Sequence, residues 1–385
     1  MKRRHVLRLI GGGVVAAAIA PLSGCSDELP AAAIAAWNGP GSEPDLRRWV
    51  LSHAILAPHS HNLQSWLVDL REPETIFLHM DITRTLPYTD PYSRQMVMSQ
   101  GTFLELLDLA ARQRGYRADI QLFPNGEYGA SGPDDRPTAK IRLVADAQLA
   151  PDPLFAQIFR RHTNRLAYAA RMPDSAAIAA MYANVADYST RIGFIGTGHD
   201  EDVQAHRDVA MRAWKTEIST ARTMLESLKL MRIGPDEINE NRDGITVNKP
   251  MVRFLSAVGL FDRDKATPAD SVSVQTQIDD FNDVIAATPA FFWMTTDDNS
   301  RTTQLMTGRA YARAQLTATE YGLSMQPLQQ ALQEYPEQAE AYAEIHALVG
   351  ADRPRQTVQM WARIGYGPKV GPSPRRGLES HFVKS

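Results

Sequence analysis

One pattern occurs twice in this chain. Gly101, Leu109, Ala111 and Gly115 recur as Gly308, Leu316, Ala318 and Gly322, at identical spacing and 207 positions further on. Each stretch reads as a helix stopped by a glycine, the residue that accepts a left-handed backbone after the last turn without steric cost. Each also follows an apolar run with strand character, residues 75–80 and 290–295. Further strands are expected at 66–70, 118–123, 140–145, 191–195 and 357–364. A strand-then-helix unit present twice restricts the fold to two similar α+β halves, divided near Pro151-Asp152-Pro153. Chance likeness of two amphipathic helices competes with this reading, and four matching residues do not by themselves exclude it.

The chain has 385 residues, 44% of them hydrophobic, enough to bury one large or two medium cores. A net charge of -3, from 41 basic and 44 acidic residues, offers no field to recruit nucleic acid, so nucleic-acid partners are set aside. Residues 1–25 read as a processing signal. Arg3 and Arg4 precede a short apolar run, and Leu22-Ser23-Gly24-Cys25 follows it. This resembles a twin-arginine export signal joined to a bacterial lipoprotein box, whose cysteine becomes the lipidated first residue. The resemblance implies the twin-arginine export machinery as a partner, a membrane anchor through Cys25, and a periplasmic or cell-surface location. A cleaved signal with an incidental cysteine is the alternative. Cys25 is the only cysteine, which excludes an intrachain disulfide or a thiolate metal site.

Residues 26–43, rich in Ala, Gly, Ser and Pro, read as a tether. Residues 44–150 form the expected first half, and 151–380 the second. Residues 45–56 carry a helical apolar stripe that must stop before Pro58, making 58–65 a loop. Residues 203–247 are polar and helical with no counterpart in the first half. They read as an inserted surface segment, a lid candidate.

The loop brings His59 and His61 close to His53, a cluster that zinc sites draw on. No ligand spacing completes it, so no metal is expected. Ser60 lacks a nucleophile elbow. Gly196-Thr197-Gly198 has Glu201 where a third glycine would complete a dinucleotide cradle, and so reads as a turn. Arg160-Arg161-His162-Thr163-Asn164-Arg165 carries more information. Three arginines and a hydroxyl within six residues suit a phosphate dianion, against the alternative of a solvated basic patch.

Taken together, Arg161-His162-Thr163-Asn164-Arg165 and Ala57-Pro58-His59-Ser60-His61-Asn62-Leu63-Gln64-Ser65-Trp66 resemble the two flavin-binding motifs of the nitroreductase-like family. The paired glycine-bounded helices resemble that family's central interface helix, once per half. Arg84, Pro87, Asp90, Pro91 and Arg94, with Arg363-Ile364-Gly365-Tyr366 and Pro374-Arg375-Arg376, are similar to its Acg-type branch, in which two halves are fused into one chain. The resemblance implies a fold class of α+β: two nitroreductase-like halves, each a mainly antiparallel sheet with helices packed around it, forming an intrachain pseudo-dimer that is monomeric as a protein.

It also implies FMN as cofactor, bound by Arg161, His162, Thr163, Arg165, Pro58, His59, Ser60, Asn62, Pro327, Gln329, Arg375 and Arg376. No side chain is expected to be catalytic, since the flavin carries the chemistry. The partners are a small electron donor and a small acceptor such as a nitroaromatic or quinone. The alternative function is flavin sequestration without turnover. Two positions depart from the motif: His59 replaces a serine, and Ser65 replaces the proline before Trp66, a change expected to free the loop. Residues 45–49 lack the basic spacing and 183–190 lack the loop motif, so a single complete site is expected, the other ancestral pocket being filled by side chains.

Overall fold

A computed structural model describes residues 28–196 and 198–384; the expected export signal and Cys25 lie outside the described residues. The first half contains α1 (Leu46–Ala54), β1 (Trp66–Asp69), β2 (Thr75–Met80), α2 (Arg94–Gln113), β3 (Tyr116–Leu122) and β4 (Pro137–Ala145). The second begins with α3 (Ser175–Val185) and β5 (Arg191–Gly196). An inserted body follows: α4 (Asp200–Ser219), α5 (Ala221–Lys229), β6 (Met231–Ile233), α6 (Gly234–Asn241), β7 (Ile245–Val247), α7 (Pro250–Ala257) and α8 (Val272–Ala286). The half then resumes with β8 (Ala290–Thr296), α9 (Arg301–Glu320), β9 (Ser324–Pro327), α10 (Ala339–Leu348) and β10 (Thr357–Gly365). The insertion therefore fills the whole interval between β5 and β8 and is much longer than the 203–247 read from the sequence.

Both four-stranded sheets have one topology. Their orders are β1-β2-β4-β3 and β5-β8-β10-β9, so each half reads first, second, fourth, third along its own chain. Neighbouring strands are antiparallel throughout. In each half the long helix follows the second strand. The repeated topology, more than four shared residues, identifies two related α+β halves.

Those two helices form the seam. A Cβ placed on Gly101 would lie 1.9 Å from the Leu305 carbonyl oxygen, and one on Gly308 would lie 1.9 Å from that of Met98. The paired glycines are thus where α2 and α9 cross backbone to backbone. Gly115 and Gly322, which end them, have φ of +73° and +70°. The halves also exchange arginines from matching positions. Arg94, entering α2, donates to the Gln359 carbonyl at 2.8 Å; Arg301, entering α9, donates to the Tyr92 carbonyl at 2.7 Å. Each half's apolar core includes side chains from the other's long helix, Leu305, Ala312 and Leu316 in the first and Met98 in the second.

Part of the expected 26–43 tether is packed on the fold. Residues 31–38 form two short 3-10 turns, Ala33 is fully buried, and the Trp37 indole donates to the Ser373 carbonyl at 2.8 Å. The apolar residues Ala33 and Trp37 explain the docking: they cover the C-terminal segment, whose Arg375 N–H donates to Ala33 O at 2.9 Å.

Candidate functional site

A cavity of about 580 Å³ opens beside the seam. Its walls come from the loop after α1, one face of α2, residues 161–165, Gly308 and Tyr311 of α9, the end of β9, the C-terminal segment and the insertion. Pro58, His59, Ser60, Asn62, Arg161, His162, Thr163, Arg165, Pro327, Gln329 and Arg375 all line it, although nearly the whole chain separates the first from the last. Arg376 does not. Its backbone N–H donates to Gln64 Oε1 at 2.9 Å and its guanidinium to Gln64 O, so it fastens the loop from outside the cavity.

The 161–165 segment is held extended against β9. Thr163 bridges to Met325, and the Asn164 N–H donates to Met325 O at 3.2 Å. The Asn164 side chain donates to Pro368 O at 2.7 Å. This rigid frame presents the cations. Arg161 is 2% exposed and spends its guanidinium on neutral oxygens, Leu56 O at 3.0 Å and Gln315 Oε1 at 3.2 Å. Arg375, 3% exposed, reaches Ala57 O at 3.1 Å, Pro374 O at 2.9 Å and Ser373 Oγ at 2.7 Å. The Nε atoms of both have no partner. Arg165 is solvent-exposed on the cavity wall, and among the described residues no hydrogen bond or ion pair holds it.

None of the three faces a carboxylate. Burial pushes the Arg161 pKa down to about 10. Burial, and then the Arg161 charge, lowers that of Arg375. Taking cations out of water without a counter-charge costs several kcal/mol each, so the arrangement favours an incoming anion. Both buried guanidinia lie against the Trp37 ring, 5.8 and 5.3 Å from its centroid, which offsets part of that cost. Tyr311 adds a buried hydroxyl without a partner on the same wall, and His162 an unpartnered Nδ1.

The loop carries concentrated backbone strain. His61, Asn62 and Gln64 have φ of 49°, 54° and 55°, left-handed values that cost a non-glycine residue energy unless the surroundings impose them. They are imposed here. Asn62 Nδ2 donates to Pro374 O at 3.1 Å, Gln64 Nε2 to Arg242 O at 2.9 Å, and the Gly244 N–H to Asn62 O at 3.2 Å. The Asn62 side chain, expected as a ligand group, is thus occupied with the C-terminal segment, where its Oδ1 accepts from Arg375.

The two departures from the family motif compensate each other. The Ser65 N–H, which a proline would lack, donates to His59 Nε2 at 3.1 Å. The opposite nitrogen, Nδ1, then carries the ring proton and donates to Ser60 O at 2.8 Å. His59 also packs edge-on to Trp66, 5.0 Å between centroids. The loop is pinned by the exchange rather than freed. Burial pushes the His59 pKa down to about 3, keeping the ring neutral. Gln329 is likewise tied to β10, donating to Gln359 O and accepting from the Trp361 N–H, both at 3.2 Å. Among the described residues, no group of three or more His, Cys, Asp or Glu could hold a metal.

Sequence reasoning missed the remaining walls. Gln95, Ser99 and Thr102 of α2 reach the cavity, and polar residues inside an otherwise apolar 94–111 run were the only signal for them. Trp214, Glu217, Ile218, Met224 and Leu228 of the insertion also line the cavity. Their polar, irregular helices show no periodicity that would single out an inner face.

No protein-family model matches the chain. It is 25% identical over 352 residues to the Mycobacterium tuberculosis protein named "Putative NAD(P)H nitroreductase Rv3131", an alignment covering 89% of this chain and 93% of that one. A counterpart from a second M. tuberculosis strain, CDC 1551 / Oshkosh, gives the same figures. Among solved structures, the FMN- and NADPH-dependent nitroreductase NfnB from sphigopyxis sp. strain HMH is 13% identical, covering 61% of this chain and 99% of its own, with a TM-score of 0.37. An iodotyrosine deiodinase bound to FMN and 3-iodo-L-tyrosine is 14% identical, covering 58% and 95%, with a TM-score of 0.34. In sequence, then, this chain is similar along nearly its whole length to two M. tuberculosis proteins that carry the name "Putative NAD(P)H nitroreductase".

Proposed function

We propose that the chain is an exported, lipid-anchored oxidoreductase of the nitroreductase kind that holds one FMN in the seam cavity. The observation that carries this reading is the set of three arginines, Arg161, Arg165 and Arg375, grouped on one wall without a carboxylate. A phosphate monoester supplies the missing counter-charge and oxygen acceptors for the unpartnered Nε atoms of Arg161 and Arg375. Thr163 adds a neutral hydroxyl donor. The pinned 58–62 loop, Gln95, Ser99 and Thr102 offer polar atoms around the rest of the cavity, and the insertion limits access of bulk water. When bound, FMN supplies two-electron chemistry between a small reductant and a small acceptor, nitroaromatic or quinone. The chain's own residues bind, orient and desolvate; none is required as an acid or base for that exchange.

The test is direct. Purified protein should bind FMN more tightly than riboflavin, which lacks the phosphate, and replacing Arg161 by alanine should erase most of that difference. Equal affinity for both flavins would remove the arginines from the phosphate. Flavin sequestration is the second reading, favoured by the insertion that walls one side of the cavity. Anaerobic reduction by NADH or NADPH followed by reoxidation with a quinone or nitroaromatic separates the two. Export rests on the sequence of residues 1–25 alone. Converting Arg3 and Arg4 to lysine should strand the precursor in the cytoplasm, and Cys25→Ala should prevent lipidation.

A further inference from the structure

The insertion's share of the cavity lining has a different chemistry. There the insertion presents Trp214, Ile218, Met224 and Leu228, an apolar wall, with a single carboxyl among them, Glu217 in the last turn of α4. Glu217 is 4% exposed. Gln333 Nε2 donates to its Oε2 at 2.7 Å, and no arginine or lysine pairs with it among the described residues. Gln333 Oε1 and Trp214 Nε1, from residues that line the same cavity, are buried without partners. A buried carboxyl with no cation, in an apolar wall that also leaves an amide oxygen and an indole N–H unused, is poorly explained as a structural contact alone.

We propose that Glu217 is the recognition group of a second subsite, donating a hydrogen bond from its protonated carboxyl to the ring-conjugated oxygen of a planar apolar acceptor, a quinone or nitroaromatic. The proposal rests on the flavin reading of the arginines and names what the insertion adds to the same cavity. Flat apolar rings suit the Trp214 and Met224 wall, and an oxygen acceptor suits a neutral acid. The environment keeps that acid neutral. Burial first, and the charge of Glu226 from α5, push its pKa up to about 7, against the hydrogen bond from Gln333. Tyr335 is the other titratable group facing it, and burial holds that phenol protonated. The C-terminal end of α4 also opposes a negative charge at this position.

The test is calorimetric titration of the flavin-loaded protein with menadione, a quinone, and with 2-methylnaphthalene, its analogue without oxygens. For the wild type, menadione affinity should fall by about tenfold between about pH 6 and pH 8.5, a change comparable to one hydrogen bond. Glu217→Gln keeps the shape and a donor but cannot ionise, so its affinity should be flat across that range. Glu217→Leu should bind menadione weakly at every pH, and 2-methylnaphthalene should show no pH step with any variant. A pH step that survives in Glu217→Gln, or wild-type menadione affinity in Glu217→Leu, overturns the proposal. Flavin content is read from the absorption spectrum of the same samples. A chain without flavin that keeps the Glu217-dependent step contradicts only the flavin reading; flavin bound without the step contradicts only the subsite.

Discussion

Thr102 of α2 and Arg309 of α9 occupy matching positions on the two crossing helices, 207 residues apart, yet they face opposite environments. Thr102 lines the cavity, beside arginines that have no carboxylate. Arg309 lies in a closed cluster: its Nε is 2.8 Å from Glu105 and its Nη2 3.1 Å from Asp108, while Arg313 pairs with Glu105 and Asp152, both at 2.9 Å. Tyr188, from the short connection where a counterpart of the 58–65 loop would lie, donates to Glu105 at 2.8 Å. Burial alone would raise the Glu105 pKa, but the Arg309 and Arg313 charges outweigh it and leave the value lowered. One end of the pseudo-dimer has internalised its counter-charges, and the other has left room for one. The difference arises from the flanking segments. No arginine or lysine occurs in residues 28–44 ahead of α1, whereas Arg160, Arg161 and Arg165 precede α3.

The comparison breaks most visibly at the closed end. Glu105→Ala leaves two half-buried guanidinia, Arg309 and Arg313, short of a partner and should cost about 3 kcal/mol of stability by urea unfolding. Arg375→Met, measured without ligand, should cost less than that, because the loss of its hydrogen bonds to Asn62, Ser373 and the Ala57 and Pro374 carbonyls is offset by removal of an uncompensated cation. A comparable loss for both would mean the ends are not electrostatically different. Ligand binding sharpens the contrast at the open end, where Arg161→Ala or Arg375→Ala should each weaken FMN by about 1.5–3 kcal/mol while sparing riboflavin. Gly308→Ala tests whether the seam itself can yield. Its Cβ would lie 1.9 Å from Met98 O, and the forced separation should cost about 1–3 kcal/mol, read as a lower unfolding midpoint.

Acid sensitivity separates two regions of the cavity lining in a further way. His59, held neutral with a pKa of about 3, binds its proton less readily in the fold than in the unfolded chain, where about 6.5 is usual. Its contribution is therefore fully present above about pH 6.5 and is lost as pH falls toward 3. Glu217 acts oppositely: with a folded pKa raised to about 7, its contribution is lost as pH rises from about 4.5 to 7. His59→Gln should flatten the acid side of a urea-midpoint profile and Glu217→Gln the neutral side, while unchanged slopes would reject these assignments.

The paired helices, the end glycines and seven of the eight main-sheet strands were legible because each depends on short-range pattern: apolar periodicity, a stop signal, an apolar run. β9, four residues containing a proline, carried too little pattern to be read. The 58–65 loop and the 161–165 segment were legible as motifs. Their meeting was not derivable from spacing, since it depends on how α2 and α9 cross. Nor was the exchange between His59 and Ser65, where a lost proline looks like lost rigidity until the freed N–H finds its acceptor. The full insertion and the docking of Trp37 escaped because both are set by tertiary contact, not by local propensity.

Flavin stoichiometry tests the asymmetry of the two ends most directly. Flavin-free protein titrated with FMN, followed by quenching of flavin fluorescence, should reach its end point at about one FMN per chain. Arg161→Ala should weaken that single event, and Glu105→Ala should not create a second. An end point of two FMN per chain would mean that the Glu105 cluster does not close its end of the seam, and would contradict the proposed division between an open and a closed site.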